Sequence, residues 1–283
     1  MRVIAPGKLV ITGAYAVLEG APAIVVAVDR YAVADTSAPD DVDVRALHDD
    51  SSGRKLGLGS SAASMVASQA ARALARGEEL GDPRVRAALF HGVREAHAHS
   101  QQGGSGVDVA AAVHGGVLRY ALLGADASIR SLQLPPGLVL QAFWSGASAR
   151  TSELRARVDA LQARSPLALA SLRMVAAVAA SAVEAQDARA FVRAAREYGR
   201  GLDVLGRAAD APIVPPAFAE LATLAAGAGA AFLPSGAGGG DVAVWLHLSP
   251  PPPGFVERAA ALGMRPLSLA IDHGGVRPES PAP

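Results

Sequence analysis

The chain has 283 residues, 51% of them hydrophobic, no cysteine, and 26 basic against 26 acidic side chains. That length holds one large domain or two compact ones. The absent cysteine excludes a disulfide scaffold, a thiolate metal site and a cysteine nucleophile, and zero net charge gives nucleic acid no electrostatic footprint. Residues 1–10, broken by Pro6, Gly7 and Lys8, do not form a signal peptide. The Ala-rich stretches are interrupted by Arg, Glu and Asp before any matches a membrane span. A cytoplasmic protein without a membrane partner is the expectation.

In chain order, residues 2–5 and 9–12 predict a strand pair around a Pro6-Gly7 turn, and 24–28 a short strand. Residues 35–54 are polar and Asp-rich, a loop with one weak strand at 42–47. Residues 60–76 contain no helix breaker and follow a glycine turn, which predicts a helix; 83–99 predict a second, with Pro83 in its first turn. A short helix at 108–114 ends at Gly115-Gly116, and 117–122 return as a strand. After Pro135-Pro136-Gly137 come a strand at 138–144 and helices near 151–163, 166–185, 187–207 and 215–227. A glycine loop at 235–240 leads to a strand at 242–246, then a helix at 254–263 and a strand at 267–271; the tail, 278–283, is expected to be disordered. Strands and helices mix without βαβ alternation, so the fold class is α+β. The domain boundary falls at the proline break, giving domains of 1–134 and 135–277.

Three glycine-rich stretches carry the chemistry. Gly57-Leu58-Gly59-Ser60-Ser61-Ala62-Ala63 opens a predicted helix. Glycine lets the backbone approach a ligand closely, and the first helical turn offers N–H groups to an anion. No lysine follows the second glycine, so this is not a Walker A loop; an ordinary glycine turn with a serine cap is the plain alternative. Gly103-Gly104-Ser105-Gly106-Val107-Asp108 ends in a carboxylate at a helix start, and Pro234-Ser235-Gly236-Ala237-Gly238-Gly239-Gly240-Asp241 lies between two strands. Of the 26 basic residues all but Lys8 and Lys55 are arginine, and both lysines lie in or beside a glycine motif. His97 and His99, two apart, do not share a helical face and are a poor metal pair.

Together with Pro6-Gly7-Lys8-Leu9-Val10-Ile11-Thr12-Gly13-Ala14-Tyr15, these stretches resemble, in order, the motifs of the GHMP small-molecule kinases. Ser52-Gly53-Arg54-Lys55-Leu56 before the first loop, Trp144-Ser145-Gly146 with Thr151-Ser152-Glu153-Leu154, and the closing Asp241 resemble the phosphomevalonate kinase branch. The resemblance runs from residue 2 to about 275. It implies an N-terminal domain like ribosomal protein S5 domain 2, a ferredoxin-like C-terminal domain, and transfer of a phosphoryl group from ATP with Mg2+ to a phosphorylated acid, (R)-5-phosphomevalonate. Mevalonate kinase, another GHMP kinase, or a degenerate member acting as a binding protein are the alternatives, and the family includes homodimers.

Carried over residue by residue, the resemblance makes Lys8 and Asp108 catalytic. It gives Lys55, Gly57, Leu58, Gly59, Ser60, Ser61 and Ala62 to ATP, with Ser61 also the magnesium ligand. It gives Ser105, Gly106, Ser148, Arg150, Ser152, Ser235, Gly236, Ala237, Gly238, Gly239 and Asp241 to the acceptor. Lys8 and Asp108 are expected to pair. The sequence departs from the family in three places. Only 48 residues separate Lys8 from Gly57, Ala14 stands where the first motif carries Glu, and the magnesium carboxylate of mevalonate kinases has no clear counterpart, Glu95 being the nearest acid.

Overall fold

A computed structural model describes residues 1–100, 103–148 and 151–279. The first elements are β1 (Arg2–Thr12), β2 (Ala23–Asp35) and β3 (Ala38–Asp43), followed by helices α1 (Ser60–Ala75), α2 (Pro83–Ser100) and α3 (Val107–His114). Strands β4 (Val117–Leu123), β5 (Asp126–Leu132) and β6 (Val139–Trp144) lead to α4 (Thr151–Arg164), α5 (Ala170–Glu184), α6 (Ala188–Ala208) and α7 (Pro216–Gly227). The chain closes with β7 (Ala231–Pro234), β8 (Val242–His247), α8 (Pro253–Ala261), β9 (Arg265–Leu267) and β10 (Arg277–Pro278). One sheet runs β10-β1-β2-β4-β5 with β3 paired to β2, and a second runs β7-β8-β6-β9. Among the described residues no helix is long and apolar enough to cross a membrane.

Two compact units result: residues 1–9, 25–118 and 270 onward form one, and 10–24 with 119–269 the other. In the first unit, α1 packs on α2, α3 and β3 through the alanine and valine face Ala63, Val66, Ala67, Ala70 and Ala71, all fully buried. Spacing of three and four residues puts these on one stripe of the helix. In the second unit the four-stranded sheet is antiparallel throughout, with Phe143 opposite Ala243 and Phe232 opposite Trp245. Its core is an aromatic cluster of Phe143, Phe218, Phe232, Trp245 and Phe255, whose rings meet edge to face at 4.7–6.1 Å, the arrangement the ring quadrupole favours.

Several elements differ from those expected. Pro6-Gly7 makes no turn: β1 runs unbroken through it. Strand β10 covers only Val3 and Ile4, so Pro6 lies where a missing N–H is tolerated. Gly7 is there for close approach, since a Cβ would stand 2.8 Å from both the Leu58 carbonyl and Leu47 Cδ2. The weak strand expected at 42–47 is β3, which ends at Asp43, followed by a 3-10 turn at Arg45–Leu47. Helix α5 starts at Ala170, because Ala168 and Ala170 first close i to i+3 turns onto Ser165 and Leu167. The strand expected at 267–271 ends at Leu267, and Ile271 forms only an isolated bridge to Val28. Strands β5 and β10 were not anticipated, and Pro278 of the expected tail pairs with Val3.

Candidate active site

In the first unit, Lys8 and the first glycine loop are built against each other. Lys8 N–H donates to the Leu58 carbonyl at 2.9 Å, which splices the loop onto β1. A Cβ on Gly59 would stand 3.1 Å from Lys8 Cγ and Cε, so the lysine stem lies along the glycine. The ammonium is 3.4 Å from the Gly57 carbonyl and the residue is only 8% exposed. A buried ammonium whose hydrogen bond is this long is poorly compensated, and an anion beside it would complete its coordination.

Gly57 and Gly59 hold φ of 77° and 79°, left-handed geometry that glycine adopts without strain. Gly59 caps α1 with no side-chain hydrogen bond, and the first intrahelical bond runs from Ala63 N–H to Gly59 carbonyl. The N–H groups of a helix's first turn have no partner within the helix, and the dipole there favours negative charge. Ser60 and Ser61 are half-buried at this helix start, Leu58 and Ala62 are buried, and Lys55 is exposed. A phosphate fits the backbone N–H groups and the ammonium, and the two hydroxyls are oxygen ligands of the kind a divalent cation takes.

The segment entering the loop is a tight turn held by Asp49, a residue that the sequence reading passed over. Asp49 is buried, and its Oδ2 accepts from Ser51 Oγ, Ser52 N–H and Ser52 Oγ. Its N–H donates to the Arg54 carbonyl at 2.8 Å, and His48 bridges to Lys55. The Asp-x-Ser-Ser pattern is the signal that could have found it.

Asp108 lies in the first turn of α3, half-buried, behind a left-handed Gly106 cap that makes no side-chain hydrogen bond. Ser105 Oγ accepts from Val107 N–H at 3.4 Å. Since α1 packs on α3, the helix starts bearing Ser61 and Asp108 belong to one packed unit with Lys8. The expected pairing of Lys8 with Asp108 is not made: among the described residues no ion pair joins them, and the ammonium turns to Gly57.

The second unit gathers the remaining glycine loop. Ser235 is buried; its Oγ accepts from Val10 N–H at 3.0 Å and its N–H donates to Val242. Gly239 N–H donates to the Ile213 carbonyl at 2.9 Å, and a Cβ on Gly238 would collide with that same carbonyl. Asp241, at φ 53°, donates its N–H to Ala147 at 2.8 Å and accepts at its carbonyl from Ser145 N–H at 2.8 Å. The loop is thus zipped to the segment after β6, the two stretches that resemble the phosphomevalonate kinase branch. Gly236 and Ala237 are half-buried, whereas Ser148 and Ser152 are exposed. Arg150 lies outside the described residues.

No protein-family model matches the chain. In sequence it is 34% identical over 229 residues to a phosphomevalonate kinase of Streptomyces sp. strain CL190, an alignment covering 71% of this chain and 59% of the relative's own length. In structure it superposes on a Listeria innocua protein, Lin0012, with a TM-score of 0.84 at 22% identity and 98% coverage of both chains. A Streptococcus pneumoniae phosphomevalonate kinase, solved with phosphomevalonate and AMPPNP, gives 0.80 at 19% identity, covering 96% of this chain and 99% of that one. The chain is similar in sequence to a phosphomevalonate kinase, of which it spans less than two thirds, and in fold to the GHMP kinases. An L. major mevalonate kinase in complex with R-mevalonate superposes more loosely, at a TM-score of 0.67 and 17% identity over 100% of this chain and 97% of that one. These structural likenesses establish the GHMP fold, of α+β class as expected. The sequence likeness adds the phosphomevalonate kinase relation.

Proposed function

We propose that the chain is a phosphotransferase that converts ATP and (R)-5-phosphomevalonate to ADP and 5-diphosphomevalonate. The observation that carries this is the buried Lys8 ammonium, laid along Gly59 at the uncapped start of α1, in a chain 34% identical to a phosphomevalonate kinase. An acceptor phosphate oxygen forms the new P–O bond to the γ-phosphorus as the bond to ADP breaks, so the protein's task is positioning and charge neutralisation.

On this reading the N–H groups and glycines of 57–62 bind the ATP phosphates, with Lys55 at the loop's entrance. Ser61 holds magnesium, with Ser60 beside it. Lys8 offsets charge on the group in transit. Asp108 orients the acceptor and takes any proton left on the attacking phosphate, a modest demand because that phosphate is largely ionised. Ser105 and Gly106 hold the acceptor next to Asp108. Ser235, Gly236, Ala237, Gly238, Gly239 and Asp241, with Ser148, Arg150 and Ser152, supply hydroxyls, N–H groups and a guanidinium for its anionic ends. In this scheme the domain of 1–134 carries the ATP loop and Asp108, and the domain of 135–277 carries the third glycine loop.

The test is ADP release from ATP and magnesium with 5-phosphomevalonate, run beside mevalonate and beside no acceptor. Release that requires 5-phosphomevalonate is the expected result. Release with mevalonate alone reassigns the acceptor, and no release from folded protein makes the chain a binding member of the superfamily.

A further inference from the structure

Two buried tyrosines to which the kinase reading gives no role tie distant parts of the second unit together. Tyr15 donates its hydroxyl to the Ala237 carbonyl at 2.7 Å, across 222 residues of sequence, and Tyr198 of α6 donates to the Ala14 carbonyl at 2.6 Å, across 184. Both lie within the normal range for hydroxyl-to-carbonyl bonds. Tyr198 is fully buried and Tyr15 is 7% exposed. Burial, aided for Tyr15 by the Asp159 carboxylate, pushes both phenols well above their ordinary range, so both stay neutral donors.

The backbone between them is held in an unfavourable form. Tyr15 has φ 63° and ψ −54°, a strained conformation for a ring-bearing residue that persists only where surroundings over-determine it. Just before it Gly13, at φ 100°, fits only because it lacks a Cβ, which would collide with Ala23. This kink points the Ala14 carbonyl at Tyr198 and the Tyr15 phenol at Ala237. Ile213 grips the far side of the same loop through Gly239, and 145–147 hold its end through Asp241.

The consequence is a loop with a set orientation and donors to spare. Among the described residues, the N–H groups of Gly236, Ala237, Gly238 and Gly240 meet no hydrogen-bond acceptor, and Gly238 and Gly240 are buried. Buried N–H groups are rarely left without a partner, and successive glycine N–H groups form a concavity suited to an anion.

We propose that Tyr198, Ala14 and Tyr15 form a relay that positions the 236–240 loop to hold an anionic group of the acceptor, making Tyr15 and Tyr198 positioning residues. The assignment to the acceptor rests on the kinase reading; the relay itself rests on the geometry. Tyr15→Phe and Tyr198→Phe each remove one hydroxyl and leave the ring packing in place.

The experiment combines steady-state kinetics on 5-phosphomevalonate with amide hydrogen exchange of the unliganded protein. Either variant is expected to raise the acceptor KM about tenfold while leaving the ATP KM unchanged, since small misplacements of a binding group cost that much or more. Amide exchange should rise at Gly239 and Asp241, whose N–H groups are bonded to Ile213 and Ala147, and stay level in α1. The double variant should be no worse than the worse single, because members of one relay are not additive. Phe255→Leu, a substitution in the aromatic core, serves as the stability control. The proposal is overturned if loop exchange and KM are unchanged in both variants, or if Phe255→Leu reproduces the KM change at a matched loss of Tm. If wild type turns over no acceptor, faster exchange confined to Gly239 and Asp241 sustains the relay while the kinase reading falls.

Discussion

Lys8 and Asp108 come from segments a hundred residues apart in the sequence, and the two are held by different means. The lysine is fixed along its whole length, by its backbone bond to Leu58, its stem on Gly59 and its ammonium at Gly57. The aspartate stands half-buried in the first turn of α3, where the helix dipole favours its charge. Asp108→Asn keeps the shape and removes the charge. It is expected to lower kcat about a hundredfold or more while the affinity for an ATP analogue, measured by titration calorimetry, changes less than twofold. Full activity in that variant would take Asp108 out of the mechanism. Asp49 shows what residue-level reading overlooked: its three hydrogen bonds to Ser51 and Ser52 close the turn entering the first glycine loop. The short stretch before Gly57 is therefore an ordered structure in its own right.

At the scale of elements, the third glycine loop is a piece of backbone whose path is set by what surrounds it. Gly238 sits at φ 78° against the Ile213 carbonyl, so both conformation and space exclude a side chain. Gly238→Ala is expected to destabilise the second unit by about 1–3 kcal/mol, measured by urea denaturation. Gly227→Ala, at the end of α7 where a Cβ meets nothing within 4 Å, should leave stability nearly unchanged or raise it. Equal effects of the two substitutions would mean that the loop is softer than its contacts imply. The same contrast explains Pro6-Gly7. A proline-glycine pair ordinarily signals a turn, but here the glycine is spent on letting β1 approach Leu58 and Arg30, which no local pattern reveals.

At the scale of the molecule, the chain returns at its C-terminus to the unit where it began. Asp272 is 4% exposed and anchors that return. Its Oδ1 accepts from Gly274 and Gly275 N–H at 3.1 and 2.7 Å, and its Oδ2 meets Tyr31 at 2.9 Å and Arg277 at 2.8 Å. Arg86 of α2 adds a bond to the Gly274 carbonyl, and Gly116 N–H donates to the Asp272 carbonyl at the end of α3. Removing one partner of a buried pair costs about 3–5 kcal/mol. Because the Arg277 side chain is 34% exposed, water compensates part of that loss, and Asp272→Asn should cost about 2 kcal/mol. Thermal unfolding monitored through hydrogen exchange of α3 and β1 measures this, and an unchanged Tm would show the segment to be a passive strap.

The helices and strands of strong periodicity, the α+β class, and the three glycine motifs with Lys8 and Asp108 are legible before folding, because burial stripes, breakers and glycine runs are local signals. The sequence placed α1, α2, α3, α6 and α7 within a few residues. It did not show that β1 is continuous, that Lys8 turns to Gly57 rather than to Asp108, or that Tyr15 and Tyr198 clamp the glycine loop. Each of those depends on which carbonyl, ring or backbone arrives from far along the chain. Contacts between residues 49, 184, 222 or 241 positions apart leave no periodic trace in sequence, and only the folded backbone decides them.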